Sequence, residues 1–361
     1  MEEQQGGTAH TGDTAARDGA AGRIEFTGEP EFTELGTLDP QRVSQIRAIT
    51  AAAEAADGVA PLGEQPLLAL DRPQPGIAHV LVEVEVEVEN EAEVEVETAP
   101  AKALAAYAQA ADSDEGHDVE FVVAVPFRGR GLGGRLAKWL VRRHPHMRFW
   151  AHGDGPAAKA IAGALGMGVV RELLVMERER EGAPSIAEAA GREDPEIEIL
   201  DLRTAYERFG ADAVDAAILR VNNAAFSWHP EQGGWTLETL RERMDVSWFD
   251  PAGFFLAVEK GEPLVVSGFH WTKTVDGDDN NAAGPSGKPL GEVYVVGVDP
   301  SAQGRGLGQW LTAVGIAHLE AEGIDTVELY VEGDNEKAIH AYERLGFAVA
   351  KRDVMYGPVG A

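Results

Sequence analysis

A five-residue motif occurs twice in this chain of 361 residues. The two copies, residues 129–133 and 304–308, both read Gly-Arg-Gly-Leu-Gly and start 175 residues apart. Each copy follows an apolar run typical of a strand, 119–125 or 293–298, and opens a run typical of a helix. The helical runs are 132–143 and 307–322. A repeat with such a long period predicts two copies of a whole domain rather than a solenoid.

The two halves stay almost in register to their ends. A Leu-Gly pair at 165–166 returns at 345–346, 180 residues later. We predict a disordered tail at 1–22, an N-terminal domain at 23–177, a charged linker at 178–195 and a C-terminal domain at 196–361. The expected fold class is α/β, with an α+β mixed sheet in each of two tandem domains.

The charge of the chain limits its partners. Lys+Arg 31 against Asp+Glu 61 gives a net charge of −30, and such a field repels nucleic acid and anionic lipid. No apolar run approaches the roughly 18 residues of a membrane span, and the first residues lack a signal-peptide pattern. Because there is no cysteine, thiolate nucleophiles and Cys-ligated metals are excluded. We expect a cytoplasmic monomer that binds no nucleic acid, no membrane and no metal.

The repeated turn is suited to binding phosphate groups. A glycine-rich turn between a strand and a helix exposes backbone N–H groups at the positive end of the helix dipole, where they can hold a pyrophosphate. Gly129, Gly131 and Gly134 satisfy a dinucleotide pattern, but Gln309 replaces the last glycine in the second copy. Neither half shows the succession of βαβ units that a dinucleotide fold requires, and no Gly-Lys-Ser/Thr completes a P-loop.

The second copy resembles the acyl-CoA loop of the GCN5-related N-acetyltransferases (GNAT). The resemblance is carried by residues 303–308 with the preceding Val-Gly-Val-Asp-Pro at 296–300. Asn335, Tyr342 and the Leu-Gly-Phe at 345–347 follow in the order of that superfamily. The resemblance implies two tandem GNAT-type acetyltransferase domains, with Asn335 near the pantetheine arm and Tyr342 facing the CoA sulfur.

Acetyl transfer from a thioester to an amine needs a neutral amine, a polarised carbonyl and a protonated leaving thiol. Glu292, on the strand before the turn, is the candidate base, and a general base contributes roughly 10² to 10⁴ in rate. Backbone N–H groups of a splayed strand can bind the developing oxyanion. Tyr342 is the candidate acid for the departing thiolate.

The first half lacks these side chains. The offsets place His117 opposite Glu292 and Ala162 opposite Tyr342, and Gly155 takes the place of Asn335. We therefore predict one working active site, in the C-terminal domain, with an N-terminal domain that keeps only the phosphate-binding turn.

Longer motifs resemble the mycothiol synthase family, the tandem acetyltransferases of actinobacteria. In the second half these are Leu-Arg-Val-Asn-Asn-Ala-Ala-Phe at 219–226, His-Pro-Glu-Gln-Gly-Gly-Trp at 229–235, Gly-Phe-His-Trp-Thr-Lys at 268–273 and Gly-Glu-Val-Tyr-Val at 291–295. In the first half, 59–65 and 149–153 also fit. The match spans almost the whole chain apart from the N-terminal tail and the Val-Glu alternation at 82–98, which we interpret as an acidic insertion.

This resemblance implies transfer of acetyl from acetyl-CoA to the cysteinyl amine of cysteinyl-glucosaminyl-inositol, giving mycothiol and CoA. It implies substrate contacts at Glu64, Glu231, Lys273, Glu292 and Tyr330. Carboxylates and a lysine suit a polyol because they form charge-assisted hydrogen bonds. From the sequence alone, Glu231 and Lys273 could also be ordinary surface charges. Two other functions stay open, acetylation of a different small-molecule amine and a non-catalytic acyl-CoA sensor.

The resemblance also implies which residues contact acetyl-CoA. In the C-terminal domain these are Val296, Gly297, Val298, Gln303, Gly304, Arg305, Gly306, Leu307, Gly308, Gln309, Asn335, Glu336, Lys337, Ala338, Ile339 and His340. Their first-domain counterparts, which could hold a second acetyl-CoA without turnover, are Phe121, Val122, Val123, Gly129, Arg130, Gly131, Leu132, Gly133 and Gly134. A purely structural first domain is the competing interpretation.

Overall fold

A computed structural model of the chain describes residues 26–72, 74–86, 101–113, 115–144, 146–227, 232–275 and 289–359. These residues divide into two compact units. Unit 1 contains the described residues up to His152 together with Pro156–Gly168, and unit 2 contains Gly153–Gly155 and Val169–Val359. The predicted tail at 1–22 and most of the Val-Glu alternation lie outside the described residues.

Unit 1 is a mixed sheet with its helices between the strands. Its elements are, in chain order, β1 (Phe26–Leu35), α1 (Pro40–Asp57), α2 (Glu64–Ala69), β2 (Ile77–Val86), β3 (Ala101–Ser113), β4 (Gly116–Val123), α3 (Leu132–Arg143), β5 (Met147–Ala151) and α4 (Pro156–Leu165). Strands β1 to β4 pair antiparallel in that order, and β5 pairs parallel to β4.

Local signals set the limits of α1. Asp39 Oδ1 accepts a hydrogen bond from the Arg42 N–H at 2.9 Å, and Pro40 occupies the first turn, where its missing N–H costs nothing. The helix ends at Gly58, whose φ of 69° is the left-handed conformation that glycine adopts without strain. Ile46 of α1 is fully buried in the same hydrophobic cluster as Leu81 and other strand residues.

Unit 2 repeats this plan and adds strands. Its elements are β6 (Met167–Glu179), α5 (Ala187–Ala190), β7 (Ile197–Asp201), α6 (Leu202–Phe209), α7 (Ala211–Ala225), α8 (Leu237–Met244), β8 (Phe254–Glu259), β9 (Val266–Val275), β10 (Leu290–Val298), α9 (Leu307–Ala321), β11 (Thr326–Glu332), α10 (Glu336–Arg344) and β12 (Ala348–Pro358). The strand order is β7-β8-β9-β10-β11-β6-β12. The β10–β11 pair is parallel, and β7 to β10 and β11–β6 pair antiparallel.

Two hydrophobic cores cover the two faces of the unit 2 sheet. On one face, Val214 and Ile218 of α7 pack in a cluster that contains Trp271 of β9. On the other face, Ile316 of α9 packs in a cluster that contains Val327 of β11. Alternate residues of β10 and β11 therefore face α7 or α9, which decides where each polar side chain of these strands points.

Strand β6 lies in unit 2 for most of its length, although the range predicted for the N-terminal domain, 23–177, contains nearly all of it. It pairs with β11 from Leu173 opposite Glu332 to Glu179 opposite Thr326, and these long-range hydrogen bonds are invisible in the local sequence. Within the described residues, no helix combines the length and apolarity needed to cross a bilayer.

Candidate active site

The glycine turn before α9 has the conformation that its sequence requires. Gly304 has φ 82° and Gly306 has φ 74°, both in the left-handed region that side chains other than glycine rarely adopt. A 3₁₀ turn, Pro300–Ala302, leads into it, and Asp299 Oδ1 accepts from the Ser301 N–H at 2.9 Å. The turn therefore directs the first amides of α9 away from the strand, as a phosphate-binding turn needs.

The arginine of this turn is already engaged by carboxylates. Arg305 Nη1 lies 3.2 Å from Glu259 Oε1, and its Nη2 lies 3.5 Å from Glu196 Oε2. Its carbonyl accepts from Arg192 Nη1 at 3.1 Å. The positive charge of Arg305 is thus compensated within the protein, which leaves backbone N–H groups as the natural anion donors of the turn.

Strands β10 and β11 pair only briefly before they diverge. Their parallel register joins Leu290 to Thr326, Gly291 to Val327, and Glu292 to Glu328, and the pairing ends there. Strand β10 also carries an irregularity against β9 between Val293 and Val295. A bulge beside a splayed strand pair turns backbone groups toward the gap instead of into the ladder.

A cavity of about 310 Å³ adjoins this divergence. It is lined by Ala225, Phe226, Val296, Val298, Gln303, Gly308, Gln309, Thr312, Asn335, Ala338, Ala341 and Tyr342. Eight of these residues were singled out from the sequence, seven as acetyl-CoA contacts and Tyr342 as the acid. Ala225 and Phe226 end α7, and Thr312 and Ala341 lie in helix interiors, so no local motif indicates that they face a cavity.

Tyr342 and Asn335 are placed by α10. Asn335 Oδ1 accepts from the Ala338 N–H at 3.2 Å and so caps the start of this helix. The ring of Tyr342 packs against Phe347 with centroids 5.9 Å apart, and burial raises the pKa of its hydroxyl to about 12. The phenol is therefore protonated at neutral pH and serves as a hydrogen-bond donor. Glu336, Lys337, Ile339 and His340 also belong to α10 but do not line the cavity.

Glu292 and Lys273 form an ion pair on the neighbouring strands β10 and β9. Lys273 Nζ lies 3.1 Å from Glu292 Oε2, and the Glu292 side chain is only 12% exposed. The same ammonium lies 5.4 Å from the ring centre of Trp248 and 5.7 Å from that of Tyr294. Two of the substrate-binding residues predicted from the sequence are thus in direct contact, beside the point where β10 and β11 separate.

Glu328 is a site residue that the sequence analysis missed. It lies opposite Glu292 in the parallel register, and its pKa is raised to about 7. Burial is the largest cause, and the negative charge of Glu292 adds to it. Its signal in the sequence is weak but present, because Glu328 is a charged residue between Val327 and Leu329, which are both buried.

The other predicted substrate contacts are less fully described. Tyr330 follows Glu328 by two residues on β11, hence on the same face, and is 49% exposed. Glu231 lies outside the described residues. Glu64 is the first residue of α2 in unit 1, and its side chain lies outside the described part of the chain.

The glycine turn of unit 1 matches that of unit 2. Gly129 and Gly131 have φ of 74° and 76°, and a 3₁₀ turn, Val125–Phe127, precedes them. The predicted contacts Phe121, Val122 and Val123 lie on β4, but the Val122 side chain is buried in the cluster formed with α1.

The assignment of His117 as the counterpart of Glu292 is wrong by one residue. Strand β4 pairs with β3 without irregularity, whereas β10 has its irregularity between Val293 and Val295. The offset counted back from the glycine turns therefore shortens by one residue beyond the bulge. The counterpart of Glu292 is Asp118.

The faces of the two sheets support this correction. The ring of His117 lies 4.8 Å from that of His144, which ends α3. In unit 2, a Cβ on Gly291 would meet Leu319 of α9 at 3.0 Å, so Glu292 points to the opposite face. His117 therefore corresponds to Gly291.

Unit 1 thus keeps a carboxylate at this position, but an arginine is bound to it. Asp118 Oδ1 accepts from Arg148 Nε at 2.8 Å, and the two residues are opposite each other in the β4–β5 register. Arg148 occupies the place that Glu328 has beside Glu292. The two units differ here in charge and not only in the identity of one residue.

The counterpart of Tyr342 in unit 1 is Ala162, which is 1% exposed. Apolar groups also crowd the start of α3, since a Cβ on Gly133 would meet Ile161 at 3.2 Å and Phe121 at 3.9 Å. At the matching Gly308 of unit 2, the nearest atom would be 3.7 Å away.

Comparison with known proteins identifies the same family from independent similarity. Residues 221–347 match the model of the "Acetyltransferase (GNAT) family". The chain is 44% identical to the mycothiol acetyltransferase of Nocardia farcinica, over 90% of this chain and 96% of that protein. It is 42% identical to the mycothiol acetyltransferase of Gordonia bronchialis, over 92% of this chain and 96% of that one.

Solved structures share the fold at lower identity. A GCN5-related N-acetyltransferase from Sphaerobacter thermophilus has a TM-score of 0.58 and 22% identity, with 91% of this chain and 95% of that one covered. A tandem GNAT protein from the clavulanic acid biosynthesis pathway has a TM-score of 0.56 and 17% identity, with 91% and 98% covered. The predicted fold class of two tandem GNAT-type α/β domains is confirmed, and the chain belongs to the mycothiol acetyltransferase family.

Proposed function

We propose that the chain transfers the acetyl group of acetyl-CoA to the cysteinyl amine of cysteinyl-glucosaminyl-inositol, forming mycothiol and CoA. Its membership in the mycothiol acetyltransferase family supports this reaction. The observation that carries the proposal is the divergence of β10 and β11 beyond Glu292 and Glu328, with a cavity that reaches Tyr342 beside it.

The described residues fit acetyl-CoA as the acetyl donor. The turn at Gly304 and Gly306 offers backbone N–H groups to the pyrophosphate, because Arg305 is held by carboxylates. The cavity volume of about 310 Å³ is in the range of small-molecule sites. Val296 and Val298 supply its apolar wall and Asn335 a polar group, a combination suited to the amide-containing pantetheine arm.

The reaction assigns a role to each polar group of the site. Glu292 accepts the proton of the acceptor amine, directly or through a water, which leaves a neutral nitrogen to attack the thioester carbonyl. Backbone N–H groups at the bulge of β10 are placed to stabilise the oxyanion. Tyr342 donates its hydroxyl proton toward the departing sulfur, and its raised pKa keeps the donor protonated over the working pH range.

The acceptor is rich in hydroxyl groups, and the proposed contacts match that chemistry. Lys273, Glu292 and Tyr330 project from β9, β10 and β11, and charge-assisted hydrogen bonds from such groups suit a sugar–inositol substrate. Glu64 and Glu231 complete the proposed set.

We propose that the N-terminal domain, predicted at 23–177, does not turn over acetyl-CoA. Ala162 stands where unit 2 has Tyr342, and the Asp118 carboxylate is bound by Arg148. The conformation of the Gly129–Gly131 turn supports acetyl-CoA binding there without catalysis. We further propose that the linker is 178–195, that the catalytic domain is 196–361, and that the enzyme acts in the cytoplasm as a monomer, without nucleic acid, membrane or metal.

The deciding experiment measures CoA release with two acceptors. Purified protein is given acetyl-CoA and either cysteinyl-glucosaminyl-inositol or glucosaminyl-inositol, which lacks the cysteine. We expect rapid CoA release with the first acceptor only, and a product that keeps a titratable free thiol because the acetyl group is on nitrogen.

Equal rates with both acceptors would place the acetyl group on another amine and overturn the proposed substrate. Binding of acetyl-CoA without release of CoA in either reaction would indicate a sensor instead of an enzyme.

A further inference from the structure

Four charged side chains lie side by side on one face of the unit 2 sheet. The register places Lys273 of β9 opposite Glu292 of β10, Glu292 opposite Glu328 of β11, and Glu328 opposite Glu177 of β6. Neighbouring strands are about 4.8 Å apart, and paired residues point to the same face. The proposed base of the reaction is therefore one member of a row of three carboxyl groups.

The two central carboxyl groups have different surroundings. Glu292 is bound to the Lys273 ammonium at 3.1 Å. For Glu328, the described residues provide neither a hydrogen bond nor an ion pair, although its side chain is half-buried. A half-buried carboxyl beside a second carboxyl and without a cation of its own is costly to ionise.

Unit 1 shows how the same position looks when its charge is compensated. There Arg148 lies opposite Asp118 and donates to it at 2.8 Å. Unit 2 has Glu328 in place of that arginine, so a stabilising pair is replaced by two like charges. The unit that carries Tyr342 is the one in which the pair is left electrostatically unfavourable.

We propose that Glu328 is a second proton-accepting carboxyl of the acceptor site, which works through Glu292 so that the two carboxyls hold one proton between them. This inference rests on the proposed acetyl transfer and deepens it. Glu328 is a positioning residue for the proton that Glu292 removes, and the two carboxyls titrate as a coupled pair.

The proton balance of the reaction gives this pair its work. An acceptor that arrives as an ammonium forms a C–N bond while the C–S bond of the thioester breaks, and two protons leave nitrogen. One is matched by the thiol that forms, and the other is released. The carboxyl pair takes up the released proton and passes it to solvent, so no oxidant or further reactant is needed.

The charges that face Glu328 fit this role. Burial, Glu292 and Glu177 raise the pKa of Glu328, whereas Lys351 of β12 and Lys273 lower it, and the result is about 7. A group with this pKa both accepts and returns a proton near neutral pH, as a relay must.

The test compares pH profiles of kcat/KM for the acceptor at saturating acetyl-CoA. We expect Glu328→Gln to lower kcat/KM by roughly 10²-fold at pH 8 and to remove the acid limb near pH 7. Glu328→Asp, which keeps a carboxyl, should recover part of the rate. Glutamine matches the shape of glutamate and removes a charge that burial disfavours, so Glu328→Gln should melt no lower than the wild type at pH 8.

Two matched variants change the charges around Glu328 without touching Glu292. Glu177→Gln should move the acid limb to lower pH, because it removes a charge that raises the pKa of Glu328. Lys351→Met should move the limb to higher pH, because it removes a charge that lowers this pKa. Both should keep the plateau rate.

An acid limb that stays in place in both variants belongs to the substrate amine, and the inference is then wrong. A folded Glu328→Gln enzyme with wild-type rate and profile would also overturn it, while CoA release by the wild type would still stand. Failure of the wild type to acetylate the cysteinyl acceptor would instead reject the proposed function.

Discussion

Two side chains of unit 2 meet opposite demands on their protons. Tyr342 must keep its proton until sulfur leaves, and burial raises its pKa to about 12. Glu292 must be able to take a proton, and Lys273 lies 3.1 Å away to compensate its charge. The same fold thus supplies a persistent donor and an ionised acceptor at one divergence of strands.

Replacement of Tyr342 by phenylalanine tests the donor role. We expect Tyr342→Phe to lower kcat by roughly 10²-fold, since the departing thiolate loses its hydrogen bond. The KM for acetyl-CoA should be nearly unchanged, because the aromatic ring stays in the cavity wall. Steady-state kinetics with both substrates varied measures the two effects separately.

Tyr206→Phe is the matched control for that substitution. Tyr206 OH donates to Asp215 Oδ1 at 2.6 Å, at α6 and away from the cavity. Its loss should cost about 1 kcal/mol of stability without lowering kcat. Equal loss of kcat and acetyl-CoA binding in Tyr342→Phe would argue that the hydroxyl only shapes the cavity.

Single residues with a motif around them could be predicted from the sequence, and those set by pairing could not. Asn335 and Tyr342 stand at fixed distances from the glycine turn within one half of the chain, and both line the cavity. Glu328 becomes a site residue only through its register with Glu292. His117 was misplaced because one bulged residue shifts every side chain beyond it to the other face.

At the scale of elements, the strand–turn–helix unit was the most predictable part. The helix expected at 132–143 is α3, Leu132–Arg143, and the one expected at 307–322 is α9, Leu307–Ala321. Glycine requirements and apolar periodicity are local, so they survive in the sequence. The place of β6 beside β11 depends on contacts across more than a hundred residues and leaves no local trace.

The turn before α9 can be tested through its backbone alone. A Cβ on Gly304 meets no atom within 4 Å, so Gly304→Ala changes only the preference for φ 82°. We expect the turn to distort and the KM for acetyl-CoA to rise by roughly tenfold, as several N–H contacts to phosphate weaken together. Isothermal titration with CoA and steady-state kinetics would measure the loss.

Gly323→Ala, beyond the other end of α9, controls for strain. Gly323 has φ 87° and also has open space around its Cβ position. Each variant should lose about 1–2 kcal/mol of stability, but only Gly304→Ala should lose acetyl-CoA affinity. Similar KM values in the two variants would mean that the turn does not bind the phosphates.

At the scale of the whole molecule, the net charge of −30 opposes the approach of an anionic donor. Local cations do not offset this at the turn, since Arg305 is paired with Glu259 and Glu196. Neutral N–H groups then hold the phosphates at short range while the long-range field repels them. Acetyl-CoA and the cationic acceptor amine should therefore respond to salt with opposite signs.

Salt shortens the range of this field, with a Debye length of about 30 Å at 0.01 M and about 10 Å at 0.1 M. On raising NaCl from 10 to 150 mM, we expect the KM for acetyl-CoA to fall by roughly two- to fivefold, because repulsion is screened. The KM for the acceptor should rise, because attraction of its ammonium is screened as well, and kcat should change little. An uncharged osmolyte at equal osmolality controls for water activity. If the KM for acetyl-CoA rises with salt instead, direct cation–phosphate contacts dominate its binding, and Arg305 must leave its carboxylates to make them.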